Sequence, residues 1–414
     1  MTKIEWTHRP GTKGCTLNPI RARNTKTGKR GWYCEKVCEA CRHCYAEDRN
    51  LKAGASGGTG LPYKPSMREF ADIYLDDKTL LRPLHWRTPR TIFWCSMTDP
   101  FGPWVSEEWV LRMFAVCALT PEHTHIFLTK RAQAMWEHIG IRPAREMLSL
   151  LAGPVHEIAI SLEGNAEGRN WAREALERWP LPNVWLGVTA GDQATADQRI
   201  PLLLGTPAAV RFVSIEPMLG PVDLYNGDPD PRLGGHKATH TFIGDWWEPG
   251  NNPRHGLDWV ICGGETGKEA RPMHPDWARS LRDQCRAADV PLFFKQWGEW
   301  KPCTGVDVYC HGPKKNRREF PNAEGIAWLN DGRICLRDFS VAEHKRRMAE
   351  HIAYSVRAIE VDEAALTDFH ASLKDQHRAV DNPLGLEWMY RAGKARAGRL
   401  LDGREHTEWP EARP

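Results

Sequence analysis

Thr91-Ile92-Phe93-Trp94-Cys95-Ser96-Met97-Thr98-Asp99 decides the fold class: a β-branched and aromatic run is cut off abruptly by small polar residues. Such a run reads as a buried strand with a sharp exit. In the next segment, Ser106 to Leu119, apolar residues recur three or four apart, as on a helix that buries one face, and His125 to Leu128 begins a second strand. Strand, helix and strand at this spacing are the βα rhythm of a parallel sheet.

Working outward, the same rhythm predicts strands over Val155 to Ile160, Val184 to Gly187, Val210 to Ser214, Trp259 to Cys262 and Pro291 to Phe294, with further helices over Lys130 to Ile139 and Pro275 to Ala288. A parallel sheet wound in this way is either doubly wound or rolled toward a barrel, and both place ligands at the carboxyl ends of the strands. Those exits are Ser96 and Asp99, then Thr129, Lys130 and Arg131, Thr189, Ser214 and Glu216, Gly263, Gly264 and Glu265, and Lys295 and Gln296. Singly, each is an ordinary cap or turn residue. Six sets opening on one face of one sheet form a candidate site.

Composition sets the bounds. The 414 residues exceed the usual single domain, so one large domain over residues 1–300 and a smaller extension over 301–414 are expected. A hydrophobic fraction of 41% with 26% charged residues, and no apolar run long enough to cross a bilayer, exclude a membrane-spanning protein. The first residues lack the apolar core of a secretory signal, which predicts a cytoplasmic protein with reduced thiols. A net charge of +3 permits nucleic-acid binding without arguing for it. Arg21 to Arg30 forms a basic loop that is either solvated or laid along phosphates. The 19 tryptophans read as core filling or as platforms for bases. Tyr225 to His255 reads as an inserted loop, Ser340 to Val361 as helix, and Gly393 to Pro414 as a basic tail.

Five of the 12 cysteines, Cys15, Cys34, Cys38, Cys41 and Cys44, fall in the first 44 residues. In a reducing compartment that density points to metal or cluster binding, not disulfides. Two chemistries compete: zinc held by Cys34, Cys38, Cys41 and Cys44, and an iron–sulfur cluster. A cluster with one open iron needs only three thiolates. Cys34-x3-Cys38-x2-Cys41 has the spacing of the commonest motif of radical S-adenosylmethionine enzymes, and Cys34-x6-Cys41-x2-Cys44 is a longer-looped version with the aromatic His43 before its last cysteine. The second register is preferred, which assigns Cys34, Cys41 and Cys44 as ligands with Cys38 as the alternate. Cys303, Cys310 and Cys335 are too irregularly spaced to favour a second cluster.

Ile4 to Thr7, Gly31 to Glu47, Ser96 to Phe101, Leu128 to Arg131, Trp185 to Thr189, Ser214 to Pro217, Trp259 to Glu265, Phe294 to Gly298 and Leu401 to Arg404, taken in order, resemble the three-cysteine-motif family of phage and prophage proteins, related in motif to radical S-adenosylmethionine enzymes. The resemblance spans most of the chain; at Cys38 that family usually has serine. It implies an α/β fold of the radical-SAM type, a partial or complete (β/α) barrel with a mainly helical C-terminal extension. It also implies a [4Fe-4S] cluster and S-adenosyl-L-methionine as cofactors.

On that basis His43, Thr189, Ser214, Glu216, Gly263 and Gly264 are expected to bind the cofactor, with Glu216 or Glu265 holding its ammonium group. Lys130, Lys295 and Glu265 are the candidate catalytic residues, with Lys130, Arg131 and Lys295 set to neutralise substrate phosphate. The implied substrate is a thymidine or other pyrimidine of phage DNA, modified, rearranged or repaired, and flipped from the duplex for reaction. Implied partners are DNA or a nucleotide, a one-electron reductant such as flavodoxin or ferredoxin, and other phage modification enzymes, with no membrane. The competing reading is a non-catalytic zinc- or cluster-stabilised nucleic-acid-binding protein.

Overall fold

The computed structural model describes residues 2, 4–52, 57–163, 165–225, 242–248, 252–302, 325–329, 332–336, 387–391 and 394–410. Strand β1 (Lys13–Leu17) is followed by β2 (Ile20–Asn24) and β3 (Arg30–Gly31), the short helix α1 (Tyr45–Leu51) and β4 (Ala71–Leu75); the last three strands form a small sheet in the order β3-β2-β4. The main sheet resumes after α2 (Asp77–Leu80) with β5 (Arg90–Trp94), α3 (Glu107–Ala118), β6 (Thr124–Thr129), α4 (Ala132–Met135), α5 (Ala144–Glu163), α6 (Asn165–Ala175) and β7 (Val184–Thr189). Then come α7 (Gln193–Leu204), β8 (Val210–Ile215), the hairpin β9 (Asp245–Glu248) and β10 (Asn252–His255), β11 (Trp259–Gly263), α8 (Pro275–Ala287) and β12 (Leu292–Gln296).

The seven-stranded sheet runs β1-β5-β6-β7-β8-β11-β12, and its pairs from β1 to β11 are parallel. Each new strand adds to the same edge. A doubly wound sheet reverses direction part-way, so this order is that of a partial (β/α) barrel with β1 and β12 at its edges. The chain divides into two compact units, the first comprising Met1–Gly263, Ser280–Lys295 and Leu401–Pro414, the second Gly264–Arg279 and Gln296–Leu400. In the second unit β13 (Trp300–Pro302), β14 (Gly325–Leu329), β15 (Gly332–Leu336) and β16 (Glu387–Arg391) form an antiparallel sheet in the order β13-β16-β14-β15.

Alternation along the strands separates the sheet's inner face into two layers. Phe93, Ile126, Trp185, Val210, Phe212, Trp259, Ile261 and Phe293 share one buried cluster with Trp6, and Trp409 packs on it. The rings of Trp6 and Phe93, and of Trp259 and Trp409, lie 4.8 Å apart. Residues two apart on a strand point the same way, so Thr189, Ser214, Gly263 and Lys295 continue this face toward the carboxyl ends. Aromatic rings fill the amino-terminal end and polar groups occupy the other. Gly187 is required here: a Cβ on it would lie 2.3 Å from the ring of Phe212.

Three expectations need correction. Val155 to Ile160 is not a strand but part of α5, because Met147, Leu151, Val155 and Ile158 form one buried stripe at helical spacing, which outweighs the local β-branched run. The seventh strand is β1, hidden in the sequence by its charge and glycine; Gly14 sits where a Cβ would come within 2.6 Å of Thr7. The helix expected over Lys130 to Ile139 is the short α4, followed by a π-turn at Trp136–Gly140.

The basic loop of Arg21 to Arg30 is the β2–β3 hairpin, with Arg21 stacked over Trp32 at 4.6 Å, Lys26 over Phe70 at 3.6 Å and Arg23 paired with Asp72 at 3.3 Å. The inserted stretch holds the β9–β10 hairpin. Ser340 to Val361, Cys303 and Cys310 lie outside the described residues, while Cys335 is in β15. Among the described residues no helix is long and apolar enough to cross a membrane.

Gly187→Ala is expected to destabilise the fold by roughly 1–3 kcal/mol through overpacking. Phe212→Leu should relieve much of that cost, so a double-mutant cycle in urea unfolding will be non-additive.

Candidate cysteine-centred site

The cysteines stand on a loop pinned at two strand exits and lying close to a third. After β5 the backbone turns at Cys95, whose φ of 55° lies in the left-handed region, a conformation that costs an L-residue about 1–2 kcal/mol and recurs at functional turns. Its N–H is held by the Leu17 carbonyl at 2.8 Å. The turn presents Ser96, Met97 and Thr98 to the loop: Thr98 Oγ1 donates to the Tyr33 carbonyl, Tyr63 Oη to the Met97 carbonyl (2.7 Å) and Tyr45 Oη to the Ser96 carbonyl. From the β6 exit, Arg131 Nη2 donates to the Glu35 carbonyl at 3.0 Å. Beyond β7, a Cβ on Gly191 would meet Ala40 at 3.5 Å.

Two buried polar residues fix these supports. Asp99 accepts hydrogen bonds from Phe101 N (3.0 Å), Thr129 Oγ1 (2.7 Å), Lys130 N (3.1 Å) and Arg131 Nη1 (3.1 Å). Asn50, fully buried on α1, accepts from the N–H groups of Trp32 and Thr59 and donates to Thr59 Oγ1 and the Leu61 carbonyl. An amide with all four contacts made in a dry site rigidifies the segment leading into the cysteines.

The thiols gather in two pairs. Cys38 Sγ and Cys41 Sγ are 3.9 Å apart, while Cys34 and Cys44 pack on the cluster of Trp32, Ala46, Tyr63 and Met97. Burial, with the Asp99 charge adding to it, pushes the Cys34 thiol up to about 12. Cys38 is the ionised member of its pair: the Cys41 S–H donated to it, the Arg199 guanidinium and the Lys130 charge outweigh burial and bring it down to about 5. Cys41 is correspondingly raised, by donating to Cys38 and by burial. Desolvation pulls the Lys130 ammonium down, but Cys41, Cys44, Cys38 and Asp99 together hold it above the ordinary lysine value.

Of the expected site residues, the structure brings Lys130 to the thiols. His43 adjoins Cys44 in the loop, half-buried. Thr189 and Ser214 are buried on adjoining strands, with the Thr189 carbonyl accepting from Arg199 Nη1 at 2.6 Å. Glu216 pairs with Lys295 at 2.5 Å, and a Cβ on Gly263 would meet Glu216 at 3.5 Å. In the second unit Gly264 lies where a Cβ would come within 2.0 Å of the Trp297 carbonyl, and the Glu265 carboxylate is gripped by both arms of Arg271. Arg199 escaped the sequence reading. It lies mid-helix in α7, 155 residues from the last loop cysteine, and no local motif marks it.

The chain matches the model of a family described as "Protein of unknown function (DUF5131)" over residues 1–410. It belongs to that family. No curated protein and no solved structure matches it.

In this DUF5131 member the donor set is thiol-rich and cation-flanked. Among the described residues no three Cys, His, Asp or Glu side chains stand in a closed metal-ligand arrangement. The four thiols nonetheless belong to one loop, two of them 3.9 Å apart, with a thiolate already favoured and two cations facing it. Soft thiolates flanked by the Lys130 and Arg199 cations fit zinc or an iron–sulfur cluster, both anionic once ligated by cysteine.

Asp99→Ala is expected to cost on the order of 3–5 kcal/mol, since it leaves Arg131 buried without its carboxylate; urea unfolding measures the loss, and faster labelling of Cys34 and Cys44 reports the loosened loop. In metal-free, reduced protein the alkylation rate of Cys38 should stay high as pH falls until it drops near pH 5, because the reactive thiolate persists above its lowered pKa. Arg199→Ala should move that midpoint upward.

Proposed function

We propose that this chain is a radical S-adenosylmethionine enzyme that acts on a nucleotide or a nucleic-acid base. The observation that carries the reading is the seating of a four-cysteine loop over the carboxyl ends of β5, β6 and β7, where a (β/α) sheet binds its ligands. Cys34, Cys41 and Cys44 would hold a [4Fe-4S] cluster, with Cys38 the alternate ligand. A reduced cluster of this kind with S-adenosyl-L-methionine bound supplies a 5′-deoxyadenosyl radical able to abstract hydrogen from an unactivated carbon.

The chain's own residues do the rest. Lys130 and Arg199 offset negative charge at the thiolates. Thr189 and Ser214 offer hydroxyls on the inner face to the ribose or carboxylate of the cofactor, and His43 offers a ring to its adenine. Glu216 is better placed than Glu265 to receive the ammonium group, because it lies beside Gly263 on the sheet while Glu265 is committed to Arg271. Lys295, now paired with Glu216, would be released toward substrate when that carboxylate changes partner. The aromatic layer below closes the amino-terminal side of the site to water.

The substrate we favour is a thymidine or related pyrimidine of phage DNA, modified or rearranged in the host cytoplasm, with flavodoxin or ferredoxin as electron donor; repair of a damaged base uses the same chemistry. A second reading, a zinc-stapled nucleic-acid-binding protein, is favoured by one observation. The Cys38–Cys41 separation of 3.9 Å is close to the roughly 3.8 Å edge of a tetrahedral zinc site with bonds of about 2.3 Å.

Anaerobic reconstitution followed by electron paramagnetic resonance decides between them. A reduced four-iron signal that changes on adding S-adenosylmethionine, with 5′-deoxyadenosine released, is expected. Single Ala substitutions at Cys34, Cys41 and Cys44 should each abolish the signal, whereas Cys38→Ala should retain it. Stoichiometric zinc with no iron bound and no cofactor cleavage would sink the enzyme reading.

A further inference from the structure

Beside the cysteine loop lies a cavity of about 930 Å³, bounded by the segment after β5, by α4 with its π-turn, and by α7. None of the four loop cysteines lines it; the loop contributes only Val37. Its walls are apolar where Phe101, Val105 and Leu202 face it, and cationic where Lys130, Arg131 and Arg199 do.

These cations are not equally satisfied. Arg131 is paired with Asp99. Among the described residues Arg199, 5% exposed, donates to the Thr189 carbonyl and meets Cys38 but pairs with no carboxylate, and the Lys130 ammonium forms no ion pair within 4 Å. The cavity's two carboxylates are engaged by side-chain amides, Glu137 by Gln133 at 2.8 Å and Asp197 by Gln193 at 2.7 Å. A guanidinium beside an ammonium matches the oxygens of a phosphate, and an anion in the cavity would share Arg199 with Cys38. The space also exceeds what inorganic phosphate needs: pockets of about 300–1,000 Å³ take whole small organic ligands.

We propose that this cavity is a nucleotide-binding pocket, in which Arg199 and Lys130 hold a phosphate and the Phe101, Val105 and Leu202 wall receives the sugar or base. The assignment rests on the nucleotide half of the function proposed above and is independent of which metal the cysteines hold. It adds a phosphate site on α7 and places the substrate's entry on the α4–α7 side of the loop. The same chemistry belongs to a free mononucleotide and to a nucleotide within a single strand.

Isothermal titration of the full-length, reconstituted protein with thymidine 5′-monophosphate, thymidine, inorganic phosphate and a short single-stranded oligonucleotide tests this. The monophosphate should bind at least about tenfold tighter than thymidine, as loss of a charge-assisted contact implies, and tighter than inorganic phosphate. Arg199→Gln should weaken it by about tenfold or more. Because Arg199 also touches Cys38, Ala134→Trp, which fills the cavity away from the thiols, serves as the second variant; it should block binding while metal content and melting temperature stay unchanged. An oligonucleotide that displaces the monophosphate identifies a nucleotide within a strand, and one that does not identifies a free nucleotide; both support the pocket. Equal affinity for thymidine and its monophosphate, no binding of either, or undiminished binding by Ala134→Trp would overturn it, and the spectroscopic test of the cluster stands separately.

Discussion

Asp99 accepts hydrogen bonds from four groups that belong to two neighbouring strand exits, and a fifth contact follows from one of them: Arg131, oriented by that carboxylate, reaches the Glu35 carbonyl in the cysteine loop. A carboxylate with this many donors in a dry site has almost no freedom. Its rigidity passes outward. The β5 and β6 exits cannot move apart without orphaning a buried charge, and the loop cannot lift from Glu35 without leaving a buried guanidinium partly unpaired.

Below this network the inner face is filled by rings. The packing of Trp6, Trp185, Trp259 and Trp409 is as much a constraint on the site as the polar contacts are, because it closes the amino-terminal end of the sheet and leaves one open mouth. Gly187 shows the tolerance involved. The ring of Phe212 occupies the place of its missing side chain, so the layer directly beneath Thr189 and Ser214 is packed and dry. Groups just above such a layer interact more strongly with charge than they would in water.

Much of this was legible in the chain itself. The strands β5, β6, β7, β8, β11 and β12 announce themselves because a fully buried parallel strand needs a continuous apolar run, and their polar exits follow directly. Val155 to Ile160 misled for a physical reason: a short β-branched run has no periodicity of its own, and only the wider stripe from Met147 to Ala159 identifies a helix. Strand β1 was hidden because edge position and a required glycine dilute the apolar signal. Within the site, Lys130 and the cysteines could be named because strand exits and thiol clusters carry local patterns. Arg199 could not. A helix arginine is normally a solvated surface group, and nothing in Asp197-Gln198-Arg199-Ile200 distinguishes one that points inward.

The same residue ties the thiols to the cavity beside them. Arg199 spans the β7 exit: it donates to the Thr189 carbonyl, meets Cys38 on the loop and lines the space between α4 and α7. A cation shared in this way cannot serve two anions fully at once, since charge given to one weakens what is left for the other. Negative charge placed in the cavity should therefore compete with the Cys38 thiolate for Arg199 and raise the cost of ionising that thiol. Positive charge arriving at the thiols should have the opposite effect and leave Arg199 freer to face the cavity. Coupling of this sort is reciprocal, so whatever the loop cysteines hold and whatever enters the cavity would sense each other through one side chain.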